Sequence, residues 1–285
     1  GPRRAGKTTL LHKFLEAVDD DCLFVNGDDI LVREYLESQS IEKLKDFVGN
    51  HSMLVVDEAQ YIHQIGLNLK IMVDHIPSLQ VIATGFSSFD LAKDIGEPLT
   101  GRKTVLQLLP LAQLEIAQLE KLHQTKAHLD SRLIYGAYPE VVIRQSNHER
   151  EQYLRELISS YLFKDIHQLE GIRHSDKLHR LVQLLAFQIG REVSLAELGR
   201  QLGMSKNTVE RYLDLLEKVF VVFKRSGFSR NLRKEIVKNH RYYFYDNGIR
   251  NALINNFNLL SIRNDIGELW EIGRASCRER VYTKV

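Results

Sequence analysis

Gly1-Pro2-Arg3-Arg4-Ala5-Gly6-Lys7-Thr8-Thr9 opens the chain and holds the parts of a phosphate-binding loop at their required spacing. Gly1 and Gly6 let successive backbone N–H groups turn toward one anion, Lys7 reaches the outer phosphates of a nucleotide, and the Thr8 hydroxyl is placed to ligate Mg²⁺. Residues Gly1 through Thr9 are therefore the expected nucleotide-binding set. The apolar positions Leu10, Leu11, Phe14 and Leu15 predict a helix beginning near Lys7, with its positive N-terminal end toward the same anion. A Gly-Pro start is also what tag removal leaves, but that does not explain the seven residues that follow. A buried strand feeds such a loop and none precedes Gly1, so the chain reads as a fragment.

Met53-Leu54-Val55-Val56-Asp57-Glu58-Ala59-Gln60 is the partner motif, an apolar strand ending in adjacent carboxylates. Phosphoryl transfer needs positioning and charge stabilisation rather than covalent help. Asp57 is accordingly expected in the metal shell with Thr8, and Glu58 on the attacking water. An ordinary turn after a core strand is the alternative, and the loop upstream argues against it.

Short apolar segments at 22–26, 52–56, 80–84 and 104–109 alternate with helical patterns, as in a parallel sheet covered by helices. The expected fold is α/β, a P-loop NTPase sheet of the additional-strand class with its first strand missing, then a helical lid and a winged helix-turn-helix. Thr84, ending the third segment, is expected as a polar sensor, with strand capping as its alternative. Arg102, in the loop before the fourth, is a candidate for stabilising transition-state charge, in its own chain or across an interface. A surface ion pair is its other reading.

The chain has 285 residues, 44% of them apolar, with a net charge of +2. That is enough for two cores, and it names no partner. No apolar run reaches the ~18 residues of a membrane span, so no membrane association is expected. Cys22 and Cys277 lack metal-ligand spacing and suit a reducing cytoplasm.

Residues 111–177 read as helical, with a sharp turn at Gly136-Ala137-Tyr138-Pro139-Glu140. Residues 178–241 read as the winged helix-turn-helix: Ser194 caps one helix, Gly203-Met204-Ser205 makes the turn, and Ser205 caps a second. Lys206, Asn207, Glu210 and Arg211 fall on its outer face, with Lys224, Arg225, Arg230, Arg233, Lys234, Lys238 and Arg241 beyond. From Ser205 to Arg241 there are ten Lys or Arg against four Asp or Glu, a stripe suited to duplex DNA. Lys206, Asn207, Arg211 and Arg225 are the expected DNA contacts. Packing or protein interaction is the competing use.

Together these motifs resemble the prokaryotic AAA-family ATPases that carry a C-terminal DUF4143 domain. The resemblance adds Ala83-Thr84-Gly85 with Ser87-Ser88, Leu99-Thr100-Gly101-Arg102, Leu109-Pro110-Leu111 with Glu115, Lys164-Asp165-Ile166 and Tyr243-Phe244-Tyr245-Asp246-Asn247-Gly248. It implies an ATPase core over 1–110, a lid over 111–177, the winged helix over 178–241 and the start of a truncated nuclease-like domain over 242–271. It also implies ATP rather than GTP, with Mg²⁺. Residues 272–285 depart from the pattern, show no helical or strand period and read as a non-native tail.

The expected activity is Mg-ATP hydrolysis coupled to movement of the lid and winged helix. The rival is a nucleotide-gated DNA-binding or signalling switch with little turnover, and a structural adaptor is a weaker third. Assembly with further copies of the chain is left open. Without the strand that feeds the loop, these 285 residues are expected to be poorly stable and to bind ATP weakly.

Overall fold

A computed structural model of the chain describes residues 1–18, 21–85, 99, 101–162, 175–225 and 240–282. Its residues divide into two compact units, Gly1–Leu108 and Leu109–Val285.

In the first unit, β1 (Cys22–Asn26), β2 (Met53–Asp57) and β3 (Gln80–Ala83) form a parallel sheet in that order. The register sets Asn26 beside Asp57, and Val56 beside Ala83, so all three strands end at one edge. All five residues of β2 are buried, which explains why its sequence is a continuous apolar run rather than an alternation. Its side chains still divide by period two. Met53 and Val55 pack with Leu11 of α1 (Lys7–Ala17) on one face. Leu54 and Val56 pack on the other with α2 (Ile30–Leu36), α3 (Ile41–Val48) and α4 (Ile65–His75), through Leu36, Leu44, Val48, Leu69 and Met72.

The segment 104–109, expected as a strand, forms no ladder among the described residues. Val105 and Leu106 are 76% and 87% exposed. A strand persists only where a neighbour takes up its backbone N–H and C=O groups, and no described strand lies alongside. The end of the segment instead runs against the phosphate-loop backbone. A Cβ at Gly1 would come 1.9 Å from the Leu108 carbonyl oxygen.

In the second unit, short helices α5 (Gln113–Ala117), α6 (Leu122–Ala127), α7 (Leu129–Tyr135) and α8 (Pro139–Ile143) lead into α9 (Asn147–Glu156). Then come α10 (Ser175–Ala186), α11 (Leu195–Leu202), α12 (Lys206–Lys218), the antiparallel pair β4 (Val222–Arg225) and β5 (Arg241–Phe244), α13 (Asn247–Leu253) and α14 (Ile266–Tyr282). Segments expected as lid, winged helix and terminal domain share one core, with Tyr135, Leu154, Leu181, Val209, Leu213, Phe244 and Ile249 among its members.

Residues from 272 onward, expected to lack a helical period, continue α14 as far as Tyr282. Leu269, Ile272 and Ser276 lie on one side of it, all buried, and the Ser276 hydroxyl donates to the Tyr245 carbonyl at 3.3 Å. A spacing of three and four residues with small and charged neighbours is sufficient for a helix when a core receives that side.

Two polar clusters join elements distant in sequence. Asp246 caps α13 by accepting the Ile249 N–H at 3.1 Å and also accepts the Ala137 N–H at 2.7 Å. Gly136 has φ 76°, and any Cβ there would collide with the Asp246 carboxylate. The Gly-Ala-Tyr-Pro-Glu and Tyr-Asp-Asn-Gly motifs are thus two halves of one contact. Buried Arg250 donates to the Ala186 carbonyl at 3.0 and 2.8 Å, to Asn251 at 3.0 Å and to Asp265. Arg263 donates to both Asp265 oxygens, at 2.8 and 2.7 Å.

Burial pushes the Asp265 carboxyl up, but the hydrogen bonds from Arg263 and Arg250 outweigh it and hold it at about 2. A carboxyl lowered on folding stabilises the protein above its unfolded value and loses that contribution as pH falls through the folded one. The second unit is therefore expected to weaken between about pH 4 and 2, read by circular dichroism and tyrosine fluorescence. Asp265→Asn, which leaves buried Arg250 without its counter-charge, is expected to cost about 3–5 kcal/mol at neutral pH, measured by urea unfolding.

Candidate nucleotide site

Sharp backbone geometry shapes the loop between Gly1 and α1. Arg4 has φ 60° and Gly6 has φ 94°, and Gly6 caps α1, its carbonyl accepting the Leu10 N–H at 2.9 Å. The first turn of α1 carries no acidic residue, so its N–H groups face the loop without a competing anion. The Lys7 ammonium lies across the loop and donates to the carbonyls of Pro2 at 2.8 Å and Gly1 at 3.2 Å.

Asp57 ends β2 as a buried carboxylate. Its Oδ2 accepts the Thr8 hydroxyl at 2.7 Å, and its Oδ1 accepts the hydroxyl of Thr84, which follows β3. The parallel register makes this meeting possible, and the ladder continues through Thr84, whose N–H donates to Val56 at 2.9 Å and whose carbonyl accepts Ala59 N–H at 2.8 Å. Thr8, Asp57 and Thr84 are thus brought together from three separate segments.

Glu58 follows in a left-handed conformation, φ 52° and ψ 41°, a state costing a non-glycine residue roughly 1–2 kcal/mol. Its N–H lies 3.2 Å from both Asp57 Oδ1 and Thr84 Oγ1, and its carboxylate Oε2 accepts the Gln60 amide. Gly27 supports the same turn, donating its N–H to the Asp57 carbonyl at 2.8 Å. Tyr61 bridges back to the loop, its hydroxyl accepting from Arg3 while Arg33 lies 5.7 Å from its ring centroid. Arg33 is steadied by the Gly27 carbonyl at 2.6 Å.

Sequence reasoning did not assign Gly27, Arg33 or Tyr61 to the site. Gly27 stands in an Asn-Gly-Asp-Asp turn signal after β1, whereas Tyr61 and Arg33 sit in no motif.

Of the two readings of Arg102, the structure shows the surface ion pair. Arg102 pairs with Asp74, the next-to-last residue of α4. Helix α4 leaves the carboxyl edge of β2 and returns to the start of β3, and its 11 residues span about 16 Å. Asp74 therefore lies at the sheet edge opposite Asp57, and Arg102 takes its surface ion-pair role there.

In the second unit, Lys206, Asn207 and Arg211 are exposed on α12, as expected. Ser205 and Ser194 cap α12 and α11, accepting the N–H groups of Thr208 and Glu197. Lys224 is not part of the basic stripe, since Glu217 at 3.1 Å and Asp214 at 3.9 Å take its charge. Arg225 is half-buried over Phe223. Arg230, Arg233, Lys234 and Lys238 lie outside the described residues. Among the described residues, no helix is long and apolar enough to cross a membrane.

A parallel sheet whose carboxyl edge joins the Gly1–Thr9 loop, a buried aspartate and a following glutamate is consistent with a P-loop-like domain. Comparison with known families agrees, because residues 1–117 match the AAA domain. Residues 126–260 match a domain of unknown function, DUF8612, and not the DUF4143 domain expected from the motifs. Both of those motif halves, Gly136–Glu140 and Tyr243–Gly248, fall inside the matched segment. Among curated relatives, the chain is 26% identical over 275 residues to the uncharacterized protein Rv2008c of Mycobacterium tuberculosis, covering 95% of this chain and 59% of that protein. An uncharacterized protein of Haemophilus influenzae is 23% identical over 281 residues, covering 89% and 68%, and the uncharacterized protein MJ1544 of Methanocaldococcus jannaschii is 22% identical over 252, covering 80% and 56%. The chain spans about 59% of the length of the mycobacterial relative.

A Cβ at residue 27 would sit 2.5 Å from the Glu58 carbonyl oxygen. Gly27→Ala is expected to push the Glu58 turn out of place and to cost the first unit about 1–3 kcal/mol, read as a lower melting temperature.

Proposed function

We propose that the protein binds Mg-ATP in the first unit and hydrolyses it. The observation that carries this reading is the Thr8–Asp57–Thr84 contact, with Glu58 next in the chain at the same sheet edge. Thr8 and Asp57 offer two hard oxygens 2.7 Å apart, and Mg²⁺ characteristically takes one or two protein oxygens and fills its shell with phosphates and water. The donor set fits that ion, which would supply charge neutralisation at the phosphates. The loop N–H groups and the end of α1 bind the phosphates, and Lys7 turns from the Pro2 and Gly1 carbonyls toward them. Thr84 orients Asp57 and, through the Glu58 N–H, the turn that carries the base. Glu58 accepts a proton from the attacking water.

Phosphate release from Mg-ATP, with nucleotide binding followed separately, tests these roles. Lys7→Ala is expected to weaken binding. Glu58→Gln is expected to bind ATP normally and to turn over about 10²–10⁴-fold more slowly. Equal loss of binding in both variants would overturn the assignment.

A second reading is favoured by the capped α11–α12 pair with Lys206, Asn207 and Arg211 exposed beside the β4–β5 hairpin. This arrangement has the order of a winged helix, and it would bind duplex DNA mainly through phosphates. Lys206→Ala with Arg211→Ala is expected to weaken binding of a labelled duplex and to flatten its log–log salt slope by about 0.9 for each phosphate that is no longer neutralised. An unchanged slope would sink this second reading.

A further inference from the structure

Gln60 stands two residues beyond Glu58, on the short 3₁₀ turn Ala59–Tyr61 that follows the strained Glu58 backbone. Its amide nitrogen donates to Glu58 Oε2. Its amide oxygen is buried and has no hydrogen-bond partner among the described residues. An unpaired buried carbonyl is destabilising, a cost that an apolar side chain of the same length would not carry. The hydrogen bond that the Gln60 side chain makes is therefore made at the expense of stability, and it goes to the group assigned to the attacking water.

Building on the ATPase reading above, we propose that Gln60 is a positioning residue that sets the Glu58 carboxylate for attack. Three constraints then act on Glu58. Its backbone N–H is anchored to Asp57 and Thr84, its left-handed φ fixes the direction in which the side chain leaves, and Gln60 takes Oε2. With Oε2 taken by Gln60, Oε1 is the oxygen left to accept from the attacking water. A general base acts only within hydrogen-bond reach of its proton, and a displacement of about 1 Å can cost 10²-fold in rate. Without the amide, Glu58 is free to rotate about its side-chain bonds while the nucleotide-binding residues stay where they are.

The discriminating variant is Gln60→Met, close in length and shape but without the amide. The expected result is a kcat lower by about 10- to 100-fold with KM for ATP within about twofold, and a melting temperature equal to or above that of the unmodified protein. Gln60→Met placed on top of Glu58→Gln is expected to slow turnover no further, because a residue acting through Glu58 has nothing left to position. Unchanged kcat in Gln60→Met, or losses in the two variants that multiply, would overturn the inference while leaving the ATPase reading intact. A joint fall in melting temperature, ATP affinity and kcat would also overturn it, since that marks a packing role. If the unmodified protein shows no turnover that depends on Glu58, the ATPase reading fails and Gln60 loses its proposed role with it.

Discussion

A carboxylate buried at the end of a buried strand is stable only if its oxygens are taken up, and Asp57 meets that condition with two hydroxyls from elsewhere in the chain. Thr8 comes from the first turn of α1 and Thr84 from the end of β3. The interaction therefore fixes the phosphate loop, β2 and β3 to one another at a single atom group. The same contact sets the height of Glu58, whose N–H reaches toward Asp57 and Thr84. It also explains the order β1–β2–β3, since only a neighbouring parallel strand ends close enough to offer its hydroxyl.

The second unit is held by a related device. Asp246 accepts backbone N–H groups on both sides of a gap of more than one hundred residues, and the Arg250–Asp265–Arg263 cluster ties the end of α10 to the start of α14. Buried polar groups of this kind add less net stability than apolar packing, but they penalise any arrangement that leaves them unpaired. This gives a physical reason for polar motifs at Gly136–Glu140 and Tyr243–Gly248 within an otherwise apolar core.

Much of the first unit was legible because its signals are local. Phosphate binding needs glycines, a lysine and a hydroxyl within one short loop, and a doubly covered strand must be apolar throughout. The loop, β1, β2 and β3 followed from these requirements. The segment 104–109 has the composition of a strand, but a strand is a relation between two segments, and no described partner stands beside it. The partner of Arg102 was unreadable for a similar reason: Asp74 is set beside it by the length of α4 and not by anything adjacent in the chain. The period in residues 272–282 went unseen because its inward positions include Ser276, a polar residue whose hydroxyl is taken up by the Tyr245 carbonyl.

By itself, then, the sequence determined where the phosphate-loop motif stands and which strand carries the acidic pair, because those properties reside in residue type and spacing over a few positions. Tertiary structure decided how the Glu58 backbone is held, since Gly27 and Thr84 reach it through packing between segments that share no local pattern. It alone decided that residues expected as three domains pool one core. The directions of side chains are properties of the assembled chain, and for pairs such as Asp57 with Thr84 or Asp246 with Ala137 no short window of sequence contains both members.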